Sequence, residues 1–272
     1  MKHIVITGAS SGLGAALARV YAQTGHHLTL WARDEGRLFA TARDCEAAGA
    51  VTHIVKSDLR DHSAARALIT ELDEQNPVDL LFNAAGVITG LSPGENPETR
   101  ADALRTLEVN MLASANLASC LFERMSARSS GQLVFVSSIA GLYPLPNSPA
   151  YSASKIAVAY YARALAALGR PRGVRVSCVY PGYLDTPMGA RLKAGKPFCV
   201  EAEHAARIIR KRLAAGRGKT VFPLAAATAL RFLHCLTQPL ADQPGLKAGY
   251  RVPPERGLAT PGLPPPPSNP TR

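Results

Sequence analysis

The sequence predicts an α/β fold in which a doubly wound parallel sheet of about seven strands carries helices on both faces. Short apolar runs alternate with segments of helical periodicity along most of the 272 residues. The runs lack the polar alternation of a sheet with one wet face, so we expect both faces to be covered. A glycine-rich loop joins the first run to the first helical segment.

In the first half of the chain, four apolar runs predict strands, at 3–7, 27–31, 51–56 and 79–82. Three segments between them have helical spacing, at 12–24, 34–48 and 61–74. The first two are followed by Gly25 and Gly49, the residue type that commonly ends a helix. Each helix then serves as the crossover that two parallel strands require.

The second half repeats this alternation with longer elements. Helices are expected over 97–128, which is a long region, and over 151–169 and 201–215. Strands are expected at 131–137 and 174–180, with a short one at 220–222. In such sheets, ligands bind at the carboxyl ends of the strands, near the point where the strand order reverses. The residues that directly follow strands are therefore the candidate site residues.

Composition excludes several classes of protein. Hydrophobic residues make up 47% and charged residues 19% of the chain, which fits a folded domain with a sizeable core. Five scattered cysteines form no CxxC pair, which predicts reduced thiols, no metal site and a cytoplasmic location. The N-terminus enters a strand directly and shows no signal peptide. No window reaches the ~18 apolar residues of a membrane span.

The net charge is +11, and nine of the Lys and Arg residues lie between 191 and 219. Phe198 is the one aromatic residue in that stretch, which argues against nucleic-acid binding. An anionic cofactor, an acidic lipid surface or an ordinary basic surface would each fit the charge.

Three regions follow from these patterns. Residues 1–223 form the α/β domain, residues 224–238 an apolar C-terminal helix, and the Pro- and Gly-rich residues 239–272 a disordered tail. Within the second region, 224–236 is interrupted by Arg231 and His234 and is too short to span a bilayer. Its apolar face suits either peripheral contact with a membrane or contact with a second subunit.

The loop TGASSGLG at 7–14 predicts a phosphate-binding turn. Small residues let backbone N–H groups approach a pyrophosphate, and the helix that follows presents its positive end. The spacing differs from both GxGxxG and the GK[ST] ending of ATP-binding loops, and a turn without ligand is the alternative. The candidate cofactor-binding residues here are Gly8, Ser10, Ser11, Gly12, Leu13 and Gly14.

The end of the second strand favours NADP(H) over NAD(H). Enzymes that prefer NAD place an acidic side chain here, but this chain has Ala32 followed by Arg33. A guanidinium pairs with a 2′-phosphate, which an acid would repel. Asp34 is expected to cap the following helix. A solvated surface arginine is the alternative for Arg33.

Polar and small residues also follow the third and fourth strands. Asp58, next to Leu59, can accept a hydrogen bond from the adenine amino group, cap the next helix, or do both. After the fourth strand, Asn83, Ala84 and Gly86 belong to NAAG, where the backbone must pass close to a ribose.

Four side chains form the candidate catalytic set. Tyr151 and Lys155 lie four residues apart on one helix face, where the lysine is expected to lower the pKa of the phenol. Ser138 ends the fifth strand and can hold a carbonyl oxygen beside that phenol. Asn110 lies in mid-helix, which is unfavourable for a short amide without a partner.

Together these motifs resemble the short-chain dehydrogenase/reductase family, over residues 3–222 and in the family's order and spacing. The matching elements are TGASSGLG, Asp58, NAAG, Asn110, Ser137 with Ser138, YSASK and PGYLDT at 181–186. The resemblance implies a Rossmann-type sheet and hydride transfer between nicotinamide and a carbonyl or alcohol carbon.

By the same resemblance, Tyr151 is the proton donor or acceptor and Lys155 binds the nicotinamide ribose. Ser138 then positions the substrate, and Asn110 supports a water that leads to Lys155. Pro181, Gly182, Leu184 and Thr186 match the segment beside the nicotinamide.

The chain departs from the family pattern at three places. Ala84 replaces the second Asn of the usual NNAG. The end of the domain reads GKTVFP at 218–223 and continues into an apolar segment, so the family's usual tetramer is not implied. The substrate loop at 187–200 is cationic and carries Met188, Leu192 and Phe198.

The sequence therefore predicts an NADP(H)-dependent oxidoreductase that interconverts a carbonyl and a secondary alcohol of a small molecule, as a homo-oligomer such as a dimer. One alternative is a reductase of a lipid-like ketone at a membrane surface. Another is a catalytically idle, NADP-binding scaffold.

Overall fold

The computed structural model describes residues 1–23, 25–89, 98–142, 144–145, 148–191, 195–225 and 228. Of the predicted apolar helix at 224–238, only 224, 225 and 228 are among them. The predicted disordered tail at 239–272 lies outside the described residues, and its prediction stays a prediction.

Seven parallel strands form the main sheet, and two short strands form a second one. The main-sheet strands are β1 His3–Thr7, β2 His27–Ala32, β3 Val51–Lys56, β4 Leu80–Asn83, β5 Gly131–Val136, β6 Val174–Pro181 and β9 Lys219–Phe222. Their order is β3-β2-β1-β4-β5-β6-β9. The second sheet pairs β7 Leu184–Asp185 with β8 Val200–Glu201. The doubly wound fold is confirmed.

Eight α-helices connect the strands of the described chain. They are α1 Gly12–Tyr21, α2 Glu35–Ala47, α3 His62–Gln75, α4 Arg100–Leu107, α5 Ala113–Ala127, α6 Pro149–Gly169, α7 Pro187–Ala190 and α8 Ala202–Ala214. A π turn, Glu108–Leu112, joins α4 to α5, and 3₁₀ turns occupy Ile139–Gly141 and Arg170–Arg172.

The sheet separates two apolar cores, as the uniformly apolar strands predict. One core lies between the sheet and helices α3, α5 and α6, with Ile69, Leu117 and Leu165 among its buried residues. The other lies under α1, α2 and α8, around Leu17 and Ile209. Strands β3 and β9 alternate between more and less exposed residues, because they are the two edge strands.

The strand order reverses between β1 and β4, since β1 pairs with β2 on one side and with β4 on the other. The helices that follow these two strands lie on opposite faces, which leaves a crevice at the carboxyl edge. The loops that carry the candidate site residues meet at this edge.

The structure corrects several element boundaries. The helical region expected at 97–128 begins at Arg100 within the described residues and is divided by the π turn. The helix expected at 12–24 ends at Tyr21, and α6 begins at Pro149, two residues earlier than predicted. Elements β7, α7 and β8 could not be predicted from the sequence, because elements of two to four residues carry no periodicity.

Within the described part of the chain, no helix has the length and apolarity to cross a membrane. Among the same residues, no group of three or more His, Cys, Asp or Glu side chains is placed to hold a metal ion.

Candidate active site

The glycine loop between β1 and α1 is packed against the segment that follows β4. Gly8 has φ +71°, and a Cβ there would lie 2.9 Å from the Cα of Ala85, so a larger residue does not fit. The Thr7 hydroxyl donates to the Phe82 carbonyl at 3.1 Å and accepts from the N–H groups of Ala84 and Ala85 at 3.0 and 3.1 Å. These contacts hold TGASSGLG and NAAG side by side.

The N-terminus of α1 is suited to an anion. Ser11 is its N-cap and makes no side-chain capping bond, and the first turn of α1 contains no acidic residue. The leading N–H groups of a helix have no intrahelical acceptor, and the helix dipole makes this end positive. The turn therefore fits a pyrophosphate, as the sequence predicts.

The unpartnered side chain of Asn83 is a second feature that fits a ligand site. Its side chain is 3% exposed, yet neither Oδ1 nor Nδ2 has a hydrogen-bond partner among the described residues. Buried amides are nearly always hydrogen-bonded, so such an orphan needs an explanation. A ligand that occupies the crevice beside Asn83 would provide one.

The ends of β2 and β3 bring three charged side chains together. Arg33 is exposed directly after β2, and its charge helps to lower the pKa of Asp58. Arg60 binds Asp58 bidentately, with Nε 3.2 Å from Oδ1 and a terminal nitrogen 2.7 Å from Oδ2. Burial alone would raise the pKa of Asp58, but these hydrogen bonds and charges outweigh it and hold the pKa below its usual value.

Of two predictions about helix caps, one is confirmed and the other is wrong. Asp34 caps α2 by accepting from the Arg37 N–H at 3.0 Å, as predicted. The alternative in which Asp58 caps the third helix is wrong, because Asp61 does so by accepting from the Ala64 N–H. Asp58 and the adjacent Leu59 remain candidates for the adenine side of a cofactor.

Asn110 lies inside the π turn, with all its side-chain polar atoms engaged. Its Oδ1 accepts from the Val87 N–H at 2.8 Å, and its Nδ2 donates to the Val87 carbonyl and to the Ser154 hydroxyl at 3.0 and 2.9 Å. The expectation that this amide needs a partner is met, and the partners join the segment after β4 to α6. Single π turns often occur at functional sites.

Ser138 and Tyr151 meet across the gap between β5 and α6. The Ser138 hydroxyl accepts from the Ala140 N–H at 3.1 Å and donates to the Pro181 carbonyl at 3.5 Å. Burial raises the pKa of Tyr151, and the nearby Ser138 hydroxyl offsets only part of that rise. The phenol of the protein alone is therefore protonated at neutral pH.

Lys155 lies one helical turn below Tyr151 and is buried. Its Nζ donates to the Val136 carbonyl at 3.0 Å and lies 5.5 Å from the centroid of the Tyr151 ring. Burial lowers the pKa of Lys155 to about 8. Burial holds the pKa of Tyr151 above its usual value in the protein alone, and the expected lowering by Lys155 stays a prediction.

The segment after β6 closes the other side of the crevice. The Gly182 N–H donates to the Phe222 carbonyl at 2.8 Å, which places this segment beside β9. The Thr186 hydroxyl accepts from the Gly189 N–H at 3.0 Å and caps α7. A Cβ on Gly12 would lie 3.2 Å from the Thr186 side chain, so Thr186 covers the glycine loop.

The structure thus brings the sequence-predicted residues to one edge of the sheet, and Gly86 lies beside two of them, Asn110 and Lys155. A Cβ on Gly86 would lie 3.4 Å from both Asn110 Oδ1 and Lys155 Nζ. The absence of a side chain there leaves a space bordered by Asn110 and Lys155.

Sequence reasoning missed several residues that support this site. Thr7, Arg60, Glu98 and Ser154 each bind a candidate site residue or its neighbour. The spacing of Asp58 and Arg60 offered a weak signal, since a carboxylate and a guanidinium two residues apart after a strand can pair locally. The other three contacts are long-range and leave no local pattern.

Comparison with known proteins places the chain in a large group. A family model described as short chain dehydrogenase matches residues 2–197. A protein from Myxococcus xanthus, described as an uncharacterized oxidoreductase, is 32% identical over 242 residues, which cover 89% of this chain and 95% of that protein. The cis-4-hydroxycyclohexanecarboxylate dehydrogenase of Sinomonas cyclohexanicum is 36% identical over 211 residues, or 77% of this chain and 82% of the relative.

Two solved structures share the fold. The short-chain dehydrogenase from Sphingobium yanoikuyae in complex with NADPH has a TM-score of 0.75 at 27% identity, covering 88% of this chain and 97% of its own. A short-chain dehydrogenase/reductase from Burkholderia phymatum in complex with NAD has a TM-score of 0.76 at 27% identity, covering 86% and 92%.

Proposed function

Because the chain belongs to the short-chain dehydrogenase/reductase family, we propose that it interconverts a small carbonyl compound and the corresponding secondary alcohol with NADP(H), using Tyr151 as the acid or base. A nicotinamide-dependent oxidoreductase follows from the family and from its cofactor-bound structural neighbours. The substrate class, the preference for NADP(H) and the roles of single residues are the proposed parts.

The observation that carries the proposal is the grouping of Ser138 and Lys155 around Tyr151, with the Ser138 hydroxyl near the phenol and Lys155 Nζ 5.5 Å from the ring centroid. The Ser138 oxygen accepts from Ala140, and its O–H makes only a long contact of 3.5 Å to the Pro181 carbonyl, which a substrate oxygen can replace as acceptor. The phenol keeps its proton at neutral pH, since burial raises its pKa. Two donors can therefore converge on one carbonyl oxygen, which polarises the carbonyl toward reduction.

The bound nicotinamide supplies the hydride in reduction and accepts it in oxidation. Tyr151 delivers its proton to the carbonyl oxygen in the first direction and removes the alcohol proton in the second. Lys155 uses one N–H for the Val136 carbonyl, which leaves two N–H groups to hold a ribose and to stabilise a phenolate. Asn110 holds the π turn against α6 through Ser154.

The cofactor half of the crevice would hold NADP(H) through several of the predicted residues. The first turn of α1 would bind the pyrophosphate, and Asp58 would accept from the adenine. Arg33 would pair with the 2′-phosphate, and no acidic residue takes its position at the end of β2. Of the two structural neighbours described above, one is bound to NADPH and the other to NAD, so the preference rests on Arg33.

Arg33→Ala tests the cofactor preference. We expect the wild type to bind NADPH more tightly than NADH, and the variant to lose about 1.5–3 kcal/mol of NADPH binding, the usual contribution of a charged hydrogen bond. NADH binding should change little. Fluorescence titration of both cofactors measures this. A wild type that prefers NADH, or a variant that keeps its full preference, would contradict the assignment.

A screen of ketones with NADPH tests the reaction itself. We expect NADPH oxidation with at least one ketone and the reverse reaction with its alcohol. Tight NADPH binding without any turnover would instead favour the scaffold alternative.

We also propose that the chain forms a homodimer through α4, the π turn and α6. Exposed apolar side chains occur on these three elements: Leu104, Leu112, Ile156, Tyr160 and Leu168. Exposed apolar patches of this kind more often mark protein contacts than solvated surface. An equilibrium sedimentation mass of a single 28.8 kDa chain would contradict the proposal.

A further inference from the structure

Glu98 binds two chain segments that border the candidate active site. Its Oε1 accepts from the Thr89 hydroxyl at 2.7 Å, and its Oε2 accepts from the Ala150 N–H at 3.0 Å. Thr89 belongs to the segment that follows NAAG, and Ala150 is the residue before Tyr151. One carboxylate thus joins the cofactor side of the crevice to the helix that carries the phenol.

The helix α6 has no capping side chain of its own. Its N-cap residue, Ser148, makes no side-chain capping bond, and its first turn contains no acidic residue. The first N–H groups of a helix need acceptors from elsewhere. Glu98 provides one from 52 residues earlier in the chain, and its negative charge is favourable at the positive end of the helix.

A buried hydroxyl pair fixes the other end of this contact. Thr89 and Thr106 are both buried, and their hydroxyl oxygens lie 2.6 Å apart. The Thr89 hydroxyl has one proton to donate. The Glu98 carboxylate is a stronger acceptor for that proton than the Thr106 hydroxyl. Thr106 then donates to Thr89, so a chain of hydrogen bonds runs from α4 through Thr89 and Glu98 to α6.

We propose that Glu98 is a positioning residue for the proposed reaction. It holds the first turn of α6, and with it the Tyr151 phenol, against the segment after β4. Tyr151 adjoins Ala150, so a shift of the Ala150 N–H moves the phenol relative to Ser138. This inference rests on the proposed function, because the position of the Tyr151 phenol affects the rate only if Tyr151 transfers the proton.

Glu98→Ala and Glu98→Gln test the proposal. The Ala variant loses both contacts, whereas the Gln variant keeps an oxygen that can accept from Ala150. With a ketone that the wild type reduces, we expect Glu98→Ala to lower kcat about 10- to 100-fold, the size of effect that misplacement by about an ångström produces. KM and NADPH affinity should stay within about twofold, and Glu98→Gln should recover part of kcat.

Asp61→Ala is the matched control, since it removes a carboxylate cap from α3, a helix with no proposed catalytic residue. We expect it to lower stability while kcat stays within about twofold of wild type. Amide hydrogen exchange gives a readout that does not need turnover. Glu98→Ala should accelerate exchange in the first turn of α6, and Asp61→Ala should not.

Three results would overturn the proposal: a folded Glu98→Ala variant with wild-type kcat, an equal loss of kcat in Asp61→Ala, or unchanged exchange in the first turn of α6. A wild type that reduces no ketone would count against the proposed function instead. In that case the exchange experiment alone decides whether Glu98 anchors α6.

Discussion

At the residue scale, burial acts in the same chemical sense on Tyr151 and Lys155, because it disfavours the charged form of each. The pKa of the phenol rises, and that of the ammonium falls to about 8. The protein alone therefore holds a protonated acid at Tyr151, as carbonyl reduction requires. The lysine beside it is close to losing its charge, so its protonation is the more sensitive of the two to pH.

Lys155→Met should reveal what this burial costs in stability. The unfolded lysine has a pKa near 10.5 and the folded one about 8, so the folded state disfavours the charge. The penalty is complete below pH 8 and is relieved as pH rises from 8 to 10.5. We expect the variant to be more stable than wild type at pH 7, on the order of 1–3 kcal/mol after the lost bond to Val136.

Urea unfolding at pH 7 and at pH 10 measures this difference. Lys2→Met, which changes an exposed lysine, is the control and should show no such dependence. A Lys155→Met variant that is less stable than wild type at pH 7 would show that the ammonium is not penalised.

Some features of the site could be predicted from the sequence, and others depend on contacts between distant segments. Tyr151 and Lys155 share a helix face because their spacing dictates it. Asn110 could be recognised as an amide in need of a partner, but Val87 and Ser154 lie 23 and 44 residues away in the chain. The pKa of Tyr151 could not be predicted, because burial depends on the whole fold.

At the element scale, one buried carboxylate holds α3, α5 and the start of β4 together. Asp73 accepts from Arg124 at 2.6 Å, from Arg128 at 2.8 and 2.9 Å, and from the Val78 N–H at 2.8 Å. Burial alone would raise its pKa, but the hydrogen bonds from Arg128, Arg124 and Val78 outweigh burial and keep the pKa below 3.8.

Asp73→Asn should destabilise the protein by about 2–4 kcal/mol at pH 7, because it leaves two partly buried guanidinium groups without their carboxylate. The carboxylate contributes its stability above pH 3.8, and this is lost as pH falls through the lower pKa of the folded state. The difference between the two proteins should therefore shrink in acid. Urea unfolding at pH 7 and near pH 3 measures both effects.

Glu74→Gln is the matched comparison for Asp73→Asn. Glu74 also pairs with Arg124, at 3.3 Å, but its side chain is 60% exposed. Exposed pairs contribute little, so we expect a loss of less than about 1 kcal/mol. Equal losses from the two substitutions would contradict a special role for the buried carboxylate.

Elements were predictable where apolar runs and helical spacing were strong. Strand β3 was predicted with its observed bounds, and β9 was found within one residue. The π turn could not be predicted, because the Asn110 side chain that binds Val87 there depends on a contact between distant segments. The pairing of β7 with β8 likewise joins residues on either side of the substrate loop.

At the scale of the whole molecule, a parallel sheet explains why distant motifs form one site. The carboxyl ends of β1, β2, β4, β5 and β6 share an edge, so every loop that follows them reaches the same crevice. Alternating strands and helices predict this arrangement from the sequence. What they do not predict is how the loops are fixed to one another, which depends on single contacts such as those of Thr7 and Glu98.

The central claim is that the Tyr151 phenol transfers the proton, and Tyr151→Phe tests it most directly. We expect turnover of a ketone that the wild type reduces to fall by about 10² to 10⁴, the usual share of general acid–base catalysis, while NADPH affinity changes little. Tyr160→Phe, at an exposed position on the same helix, should retain activity. Near-normal turnover by folded Tyr151→Phe would contradict the account.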